Sequence, residues 1–171
     1  MTEAMSRRVY YLTPAGRVRL RHRIHEARLA YDAVCASNGE AAEAGDSSVW
    51  HDNFAYEENQ RQMHQLARRV RTLTEVLTSA AEVLPRRCAP SQVEIGGAVR
   101  IRRLRDGQER TWYIAGWEDG DPDAGRLSYT APLASALIGA EAGDVRVVRE
   151  RGKAVEVEVV EVLAAPSSEL A

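Results

Sequence analysis

The stretch LSYTAPLASALIGAEAGDVRVV, from Leu127 to Val148, changes its secondary-structure signal twice. Its two ends, RLSY with the preceding arginine and DVRVV, have the aromatic and β-branched residues typical of short strands. Between them Pro132 opens a short helix and Gly139 closes it, because proline suits the first helical turn and glycine the position after the last. Three residues give this helix a small apolar face: Leu133, Ala136 and Leu137. The stretch therefore predicts a strand, a short helix and a second strand.

A period of two residues continues on both sides of this stretch. Short alternating segments precede it, and a longer one follows it, in which valine and glutamate alternate as in a strand with one buried face. These segments are VEI, VRIRRL and TWYIAGW before it, and VEVEVVEVL after it. Residues 92–164 are therefore predicted to form a small, mainly antiparallel sheet with one short helix against it. The last residues, 165–171, are predicted to be a frayed tail.

The residues before Pro85 have a helical period instead. Thr13 followed by Pro14 is a helix-start signal, because the threonine hydroxyl can accept from a first-turn N–H and proline has no N–H to leave unpaired. Two apolar stripes follow, with alternating steps of three and four residues as in a coiled coil. The first stripe comprises Leu20, Ile24, Ala27, Tyr31 and Val34, and the second comprises Tyr56, Met63, Leu66, Val70, Leu73, Leu77, Ala80 and Leu84.

Two such stripes on either side of a loop predict an antiparallel coiled-coil hairpin over residues 1–84, with its tip loop at 45–53. An arm of about 30 residues would be roughly 45 Å long. A fragment of an ordinary helical bundle is the alternative for this pattern. The prolines and arginines of residues 85–91 interrupt the helical period and predict a linker. The expected fold class is α+β, with the helical hairpin followed by the sheet domain.

Composition and charge exclude several functional classes. With 23 basic and 25 acidic residues the net charge is −2, which gives no reason to expect bulk binding to nucleic acid or to an anionic membrane. Cys35 and Cys88 have neither the spacing of a zinc site nor the context of a disulfide. No apolar run approaches the ~20 residues that span a bilayer, and the N-terminus lacks the apolar segment of a secretory signal. We expect a cytoplasmic monomer that does not bind membranes.

Four segments resemble the Gre family of bacterial transcript cleavage factors, GreA and GreB. LTPAGRVRL resembles the family's Leu-Thr-x-x-Gly helix start, and DNFAYEENQ resembles its tip motif, Glu-Asn-Ala-Asp/Glu-Tyr. RRVRTLTEVL resembles the second arm of GreB, with the same spacing back to the tip motif. The opening stretch resembles Ile-Ser-x-x-Ser-Pro-x-x-x-Ala-Leu-Ile-Gly-x-x-x-Gly-Asp and is the most specific of the four. The similarity covers nearly the whole chain.

This resemblance implies a role for each part of the chain. It implies that the sheet domain is FKBP-like and docks on bacterial RNA polymerase at the rim of the secondary channel. It also implies that the hairpin carries its tip through that channel to the catalytic centre. Carboxylates at the tip would help the polymerase to hold a second, weakly bound Mg²⁺ ion, so that backtracked RNA is cut internally. The factor would assist the polymerase's own cleavage activity, would not itself be an enzyme, and would hold no cofactor in isolation.

The residues implied for these roles form four groups. The candidates for catalysis and for Mg²⁺ binding, the latter only in the complex with the polymerase, are Asp46 and Asp52. Those expected to support the tip are Asn53 and Tyr56, together with Trp50, which lies in the insertion and has no counterpart in the family. The polymerase-docking candidates are Ser128, Pro132, Leu133, Ala136 and Leu137. The basic patch, which would touch the phosphates of the nascent RNA 3′ end without sequence preference, comprises Arg17, Arg19, Arg21, Arg23 and Arg28.

Each assignment has a simpler alternative. Asp46 could be a plain loop residue, and Asp52 could be the N-cap of the second helix, where the helix dipole favours a carboxylate. The basic residues could be a solvated coiled-coil face. His51 is not expected to bind metal with Asp52, because adjacent side chains on a loop seldom converge. A prolyl isomerase is a further functional class, but the aromatic residues it would use are more simply core or interface residues: Trp112, Tyr113, Trp117 and Tyr129.

The tip departs from the family pattern. The family has two residues between its Gly-Asp and its Glu-Asn pairs, whereas this chain has SSVWH between Gly45-Asp46 and Asp52-Asn53. An aspartate thus replaces the family's glutamate at 52, and Ala42 stands where the family has an arginine. These departures favour a second interpretation, a channel-binding regulator that inhibits or modulates transcription without stimulating cleavage.

Overall fold

The chain forms two compact units in a computed structural model that describes residues 9–43, 54–150 and 152–170. One unit contains residues 19–79, and the other contains the residues up to 18 together with those from 80 onward. The elements are β1 (Tyr11–Leu12), α1 (Pro14–Glu43), α2 (Phe54–Ser79), β2 (Ala81–Glu82), β3 (Ala98–Arg103), β4 (Glu109–Ala115), β5 (Arg126–Ser128), α3 (Pro132–Leu137), β6 (Val145–Glu150), β7 (Lys153–Leu163) and a final 3₁₀ helix (Ser167–Glu169). The mixture of long helices and a sheet agrees with the predicted fold class. In the structure the N-terminal segment belongs to the unit that contains the sheet, whereas the predicted first domain covers residues 1–84.

Five strands form one sheet in the order β5-β4-β3-β7-β6. Neighbouring strands are antiparallel except β4 and β5, which run parallel, as expected for a mainly antiparallel sheet. The VEI segment at 93–95, predicted as a strand, is not one. Val93 instead donates to the carbonyl of Ala140 and accepts from the N–H of Gly139, both at 2.8 Å. These bonds tie the segment to the end of α3 rather than to a strand.

Helix α3 and one face of the sheet enclose the hydrophobic core. Ala134 and Leu137 are fully buried, whereas Leu133 and Ala136 of the predicted apolar face are only partly buried. Ala134 and Leu137 are three residues apart and therefore share one face of the helix. They pack into a cluster to which the strands contribute Val99, Ile101, Trp112, Ile114, Val148, Val157, Val159 and Val162.

Ion pairs occupy part of the opposite face of the sheet. Arg100 lies 2.6 Å from Glu161, and Arg102 lies 2.8 Å from Glu109 and 3.4 Å from Glu158. These side chains are partly exposed, so each pair contributes no more than about 1 kcal/mol to stability. The alternation of valine and glutamate in β7 thus places valines in the core and glutamates beside the arginines of β3.

Helix α1 begins at the predicted residue. Gly16 N–H donates to the Oγ1 atom of Thr13 at 3.0 Å, and Arg17 N–H donates to the Thr13 carbonyl at 2.8 Å. Thr13 is therefore the N-cap, and Pro14 is the first helical residue. Asp119, on the loop after β4, lies against this turn, since a Cβ atom on Gly16 would be 2.9 Å from its Oδ2 atom. The glycine permits this close approach.

Helix α2 ends at Ser79, before the predicted end at Leu84. The N–H groups of Ala81 and Val83 donate to two carbonyls of the N-terminal segment at 2.8 and 2.9 Å, and β2 thereby pairs in parallel with β1. Because these N–H groups bond to another segment, they do not continue the helical ladder. Leu84 is exposed instead of belonging to the apolar stripe. The stripe prediction is therefore corrected at its C-terminal end.

Among the residues of unit 19–79 whose burial the structure describes, each long helix buries two. These are Leu20 and Ile24 on α1, and Leu73 and Val76 on α2. Val76 is absent from the predicted stripe, whose nearest member, Leu77, is only partly buried. The other stripe residues whose burial is described are also partly buried: Ala27, Tyr31, Val34, Met63, Leu66 and Val70.

The segment predicted to be a frayed tail is packed on the sheet unit. Ala165 is buried with Tyr113 and Ala115, and its N–H donates to the carbonyl of Arg86 at 2.8 Å. Glu169, in the 3₁₀ helix, is also buried, and its carboxylate lies 3.7 Å from the guanidinium of Arg126. The prediction is corrected because these tertiary contacts compensate for the weak local preference of the segment.

Candidate functional site

The predicted tip lies mostly outside the described residues. Asp46, Trp50, Asp52 and Asn53 all fall between Glu43, where α1 ends, and Phe54, where α2 begins. Tyr56 belongs to the first turn of α2, and its side chain is also outside the described part. The catalytic and metal-binding roles of the two aspartates therefore stay predictions. The described parts of the candidate site are the docking segment, residues 128–139, and the arginines of α1.

Ser128 holds the docking segment in place from inside. Its side chain is buried, and its Oγ atom accepts a hydrogen bond from the N–H of Glu118 at 3.1 Å. The same oxygen shares a hydrogen bond with the Thr130 hydroxyl at 2.8 Å. Glu118 has a φ of +47°, in the left-handed region that residues other than glycine seldom adopt. Ser128 thus fixes a tight loop and has little surface to offer a partner.

The predicted docking residues on α3 divide into buried and exposed ones. Leu137 is fully buried and belongs to the core, whereas Pro132 is exposed. Leu133 and Ala136 are partly buried and pack against the core. Four exposed residues of this segment were absent from the prediction: Thr130, Ser135, Ile138 and Gly139. The spacing of Pro132, Ser135 and Ile138 was a usable signal, because residues three positions apart share a helix face.

Ile138 presents an apolar side chain at the end of α3. It is the C-cap residue, with a φ of −56° and a ψ of 130°, so the chain leaves the helical conformation there. Its side chain is 39% exposed even though the neighbouring Leu137 is completely buried. Gly139 follows at a φ of +82°, a conformation that favours glycine. The end of α3 therefore offers a small apolar contact that a partner could cover.

Two aromatic pairs attach the N-terminal segment to the loops beside the docking segment. The rings of Tyr11 and Tyr129 are 5.7 Å apart, and those of Tyr10 and Trp117 are 5.5 Å apart, both edge to face. Burial raises the pKa of Tyr129 above its ordinary value. Trp117 N–H also donates to the Tyr11 carbonyl at 2.9 Å. These aromatics stabilise an internal interface, in agreement with the simpler interpretation of Trp117 and Tyr129.

The five predicted basic residues do not form one patch. Side chains on an α-helix are separated by about 100° per residue, so positions two apart point in roughly opposite directions. Arg17, Arg21 and Arg28 therefore lie on one side of α1, and Arg19 and Arg23 lie on the other. The prediction grouped these arginines because all five lie on the first half of the first predicted arm, and it did not consider which side of the helix each one occupies.

Only two of these five arginine side chains are exposed to solvent. Arg21 and Arg28 are exposed. Arg17 is partly buried, donates to the carbonyl of Ala80 at 3.4 Å and lies 3.7 Å from a carboxylate oxygen of Glu82. It therefore holds the start of α1 to the segment that follows α2.

The described residues hold neither a metal cluster nor a membrane span. Within them, no group of three or more histidine, cysteine, aspartate or glutamate side chains is placed to bind a metal ion. No helix in the same part of the chain is long and apolar enough to cross a membrane.

Comparison with known proteins identifies the family. The family model described as transcription elongation factor, GreA/GreB, C-term, matches residues 89–164. The transcription elongation factor GreA of Chloroflexus aurantiacus is 32% identical over 144 residues, which cover 81% of this chain and 87% of the relative. GreA of Chloroflexus aggregans is 31% identical over 136 residues, covering 79% of this chain and 85% of that protein. The chain belongs to the GreA/GreB family.

Solved structures of related factors also match. The GreA factor homolog 1 (Gfh1) protein of Thermus thermophilus covers 91% of this chain and 99% of its own, at 20% identity and a TM-score of 0.42. The prokaryotic GreA/GreB factor of Nitrosomonas europaea matches 91% of this chain and 98% of its own, at 18% identity and a TM-score of 0.39.

The GreA/GreB family model covers one of the two parts of the candidate site and not the other. The docking segment, α3 and the sheet from β3 to β7 lie inside the residues that the C-terminal family model matches. The tip and the arginines of α1 lie outside that match. The chain is thus a transcription elongation factor of this family. The family model does not include the tip and therefore does not bear on its chemistry.

Proposed function

We propose that this GreA/GreB family member binds the RNA polymerase of a bacterial host, enters its secondary channel and stimulates cleavage of backtracked RNA. The observation that carries the proposal is the 32% identity to a GreA factor over 81% of this chain. That share is too large to fall within the sheet domain alone, so it includes part of the helical region. The polymerase supplies the active site, and this chain acts as an accessory factor.

The helical unit is suited to reach a distant site as an antiparallel coiled-coil hairpin. The start of α1 and the end of α2 are joined by the pairing of β1 with β2 and by the contact of Arg17 with Ala80. Helix α1 has 30 residues and α2 has 26, which correspond to lengths of about 45 and 39 Å. Two arms that share a base and carry apolar stripes support a hairpin whose tip is the segment between them.

The tip supplies carboxylates, and these are the ligands that Mg²⁺ prefers. Asp52 and Asp46 would hold the ion jointly with the polymerase, and their oxygen donors fit the hard character of this cation. A bound Mg²⁺ ion would lower the pKa of a coordinated water molecule and so supply a nucleophile for cleavage. The contribution of this chain is negative charge at the end of the arm, with Trp50, Asn53 and Tyr56 as the residues proposed to support it.

The sheet unit supplies the docking surface in this proposal. Four exposed side chains of the docking segment would contact the rim of the channel: those of Thr130, Pro132, Ser135 and Ile138. Ser128 and Leu137 act from beneath, because both are buried. On α1, the exposed Arg21 and Arg28 would approach RNA phosphates by charge alone.

The altered tip favours a second candidate function. The residues SSVWH separate Gly45-Asp46 from Asp52-Asn53, and Ala42 replaces the arginine of the family pattern. A longer loop with one fewer positive charge could occupy the channel without placing the carboxylates on the ion. The factor would then inhibit or modulate transcription and would not stimulate cleavage.

The proposed function is tested with backtracked complexes of the host polymerase. Asp52→Asn removes the charge and keeps the shape, so polymerase binding should persist while RNA cleavage, followed by transcript length on a gel, falls by orders of magnitude. Raising the Mg²⁺ concentration should restore part of the rate by mass action. Asp32→Asn, at an exposed position on α1, is the matched control and should cleave normally. Normal cleavage by an Asp46, Asp52 double Asn variant would overturn the assignment.

Deleting Ser47 and Ser48 separates the two candidate functions. If the longer loop makes the factor inhibitory, shortening it should create or increase cleavage. If the tip is competent as it stands, the deletion should leave cleavage unchanged or weaken it. If the unmodified protein leaves backtracked RNA intact and slows RNA synthesis, this result would support the inhibitory function.

A further inference from the structure

A groove lies at the end of the sheet where two of its hairpin turns come together. The turn between β3 and β4 and the turn between β6 and β7 are at the same end, because β3 and β7 are antiparallel neighbours. The groove has a volume of about 1180 Å³, and residues 103–105, residues 153–156 and Val147 line it. The docking segment, residues 128–139, contributes none of these residues.

A row of side chains across three neighbouring strands forms the floor of the groove. Glu156 of β7 pairs with Val147 of β6. On its other side, the Glu156 carbonyl accepts from the N–H of Leu104, just past the end of β3, at 3.0 Å. Residues directly opposite each other in a ladder point to the same face of the sheet. Leu104 is 44% exposed and Val147 is 61% exposed, so the floor presents two apolar side chains on the face opposite the core.

The backbone under this row suits a helical occupant. Strand β7 lies between β3 and β6, so its backbone groups are already used in the two ladders. A segment that lies on this floor must therefore satisfy its own backbone hydrogen bonds, as an α-helix does. Strands are about 4.8 Å apart, so the row is roughly 10 Å wide, which is about the diameter of one helix.

The charged side chains of the groove are mostly basic. Three cationic side chains and one carboxylate, that of Glu156, belong to the lining, and the cations are Arg103, Arg105 and Lys153. Arg103 pairs with Asp106 at 3.0 Å, whereas Lys153 and Glu156 form no ion pair within the described part of the chain. Even when Asp106 is counted, positive charges outnumber negative ones, which favours an acidic partner.

We propose that this groove binds an acidic amphipathic helix of a protein partner. The apolar side of the helix would cover Leu104 and Val147, and its carboxylates would approach Arg105 and Lys153. The apolar floor and the Glu156 carboxylate disfavour a nucleic acid backbone. A second copy of this groove is also disfavoured, because like charges would meet. The proposal goes beyond the cleavage activity proposed above and does not depend on it.

A designed peptide is the probe for this site. It has about 18 residues of alanine, glutamate and leucine, with the leucines three and four positions apart so that they share one helix face. Fluorescence anisotropy of the labelled peptide with the full chain should give a dissociation constant of about 10–100 μM. The affinity should fall as the salt concentration rises. A control peptide of the same composition, with its leucines spread around the helix, should bind about tenfold more weakly.

Amide NMR locates the peptide on the protein. The signals of Leu104, Val147 and Ala154 should shift on titration more than those of Ser135 and Ile138, which lie in the docking segment. Larger shifts in the docking segment would overturn the placement of the peptide in the groove.

Paired variants test the apolar and the charged contacts separately. Val147→Glu should weaken peptide binding by about tenfold, because it adds a carboxylate to the floor. The same substitution at Val18, which is 63% exposed on α1, is the matched control and should have no effect. Glu156→Gln removes a repulsive carboxylate and should tighten binding by about two- to fivefold, a gain that a damaged protein could not produce. Thermal unfolding followed by circular dichroism checks that each variant folds.

Three results would overturn the proposal. The first is the absence of saturable peptide binding at millimolar concentration. The second is tighter binding, at the same residues, of a single-stranded RNA of about ten nucleotides, which would make the groove a nucleic-acid site. The third is self-association that Val147→Glu abolishes, measured by analytical ultracentrifugation, which would make the groove a contact between two copies of this chain.

Discussion

Gly16 belongs to the helix-start motif of the family and also lies in close contact with Asp119, which is distant in the sequence. Alanine is normally preferred to glycine inside a helix by about 1 kcal/mol, so an isolated helix would gain from Gly16→Ala. In this protein the added methyl group would be 2.9 Å from Asp119 Oδ2 and 3.0 Å from Thr13 Oγ1. Asp119 is buried and cannot easily move aside. We therefore expect Gly16→Ala to lower the free energy of unfolding by about 1–3 kcal/mol, measured by urea denaturation.

A double-mutant cycle isolates the contact with Asp119. Asp119→Ala removes the carboxylate, so adding Gly16→Ala to that variant should cost much less than it does in the natural chain. If the two substitutions are additive, the close approach is not the reason for the glycine. A gain of stability from Gly16→Ala alone would contradict the structure at this turn.

At the scale of a single element, α3 ends with a buried and an exposed apolar side chain at adjacent positions. Leu137 is completely buried and Ile138 is 39% exposed. Leu137→Ala should lower the free energy of unfolding by about 2–5 kcal/mol, because it leaves a cavity in the core. Ile138→Glu should change stability little and weaken binding to RNA polymerase, since a charge would replace an apolar contact.

The two variants are compared by thermal unfolding and by surface plasmon resonance with immobilised polymerase. Ser135→Glu, which also adds a charge to the exposed side of α3, shows how far the contact extends. Unchanged polymerase binding by Ile138→Glu would remove the end of α3 from the docking surface. A Leu137→Ala protein with the same thermal stability as the natural chain would contradict the packing of α3 on the sheet.

At the scale of the whole molecule, the two ends of the chain build one unit. The segment up to residue 18 and the segment from residue 80 onward form one compact unit, and two aromatic pairs join them. Separating the chain after residue 84 should therefore destabilise the sheet, because the fragment 85–171 loses Tyr10 and Tyr11. Two aromatic contacts correspond to about 1–3 kcal/mol. Amide hydrogen exchange of β4 in the fragment and in the whole chain measures this loss.

A full-length variant provides the control for this separation. Tyr10→Ala combined with Tyr11→Ala keeps every other part of the chain and should reproduce most of the loss of protection in β4. The fragment mixed with residues 1–84 should regain part of it. Equal protection in the fragment and in the whole chain would restore the predicted boundary at residue 84.

Local patterns in the sequence were sufficient for much of the fold. The Thr13-Pro14 start of α1, the extent of α3 and most strands follow from capping, helical period and alternation, which depend on residues close together in the chain. The family motifs in residues 127–148 likewise predicted the GreA/GreB relationship. Such signals act through backbone preferences and short-range hydrogen bonds, so neighbouring residues are enough to produce them.

Contacts between distant residues decided the rest. The end of α2 depends on the pairing of β2 with β1, and the packing of residues 165–170 depends on Arg86, Tyr113 and Arg126. The helical spacing of α1 separates arginines that the sequence grouped together. Burial of Ser128 and Leu137 leaves only their exposed neighbours accessible to the proposed partner. By itself the sequence determined where helices and strands form and which family the chain resembles; only tertiary structure decided where they stop and which side chains stay exposed, because burial depends on what packs from elsewhere in the chain.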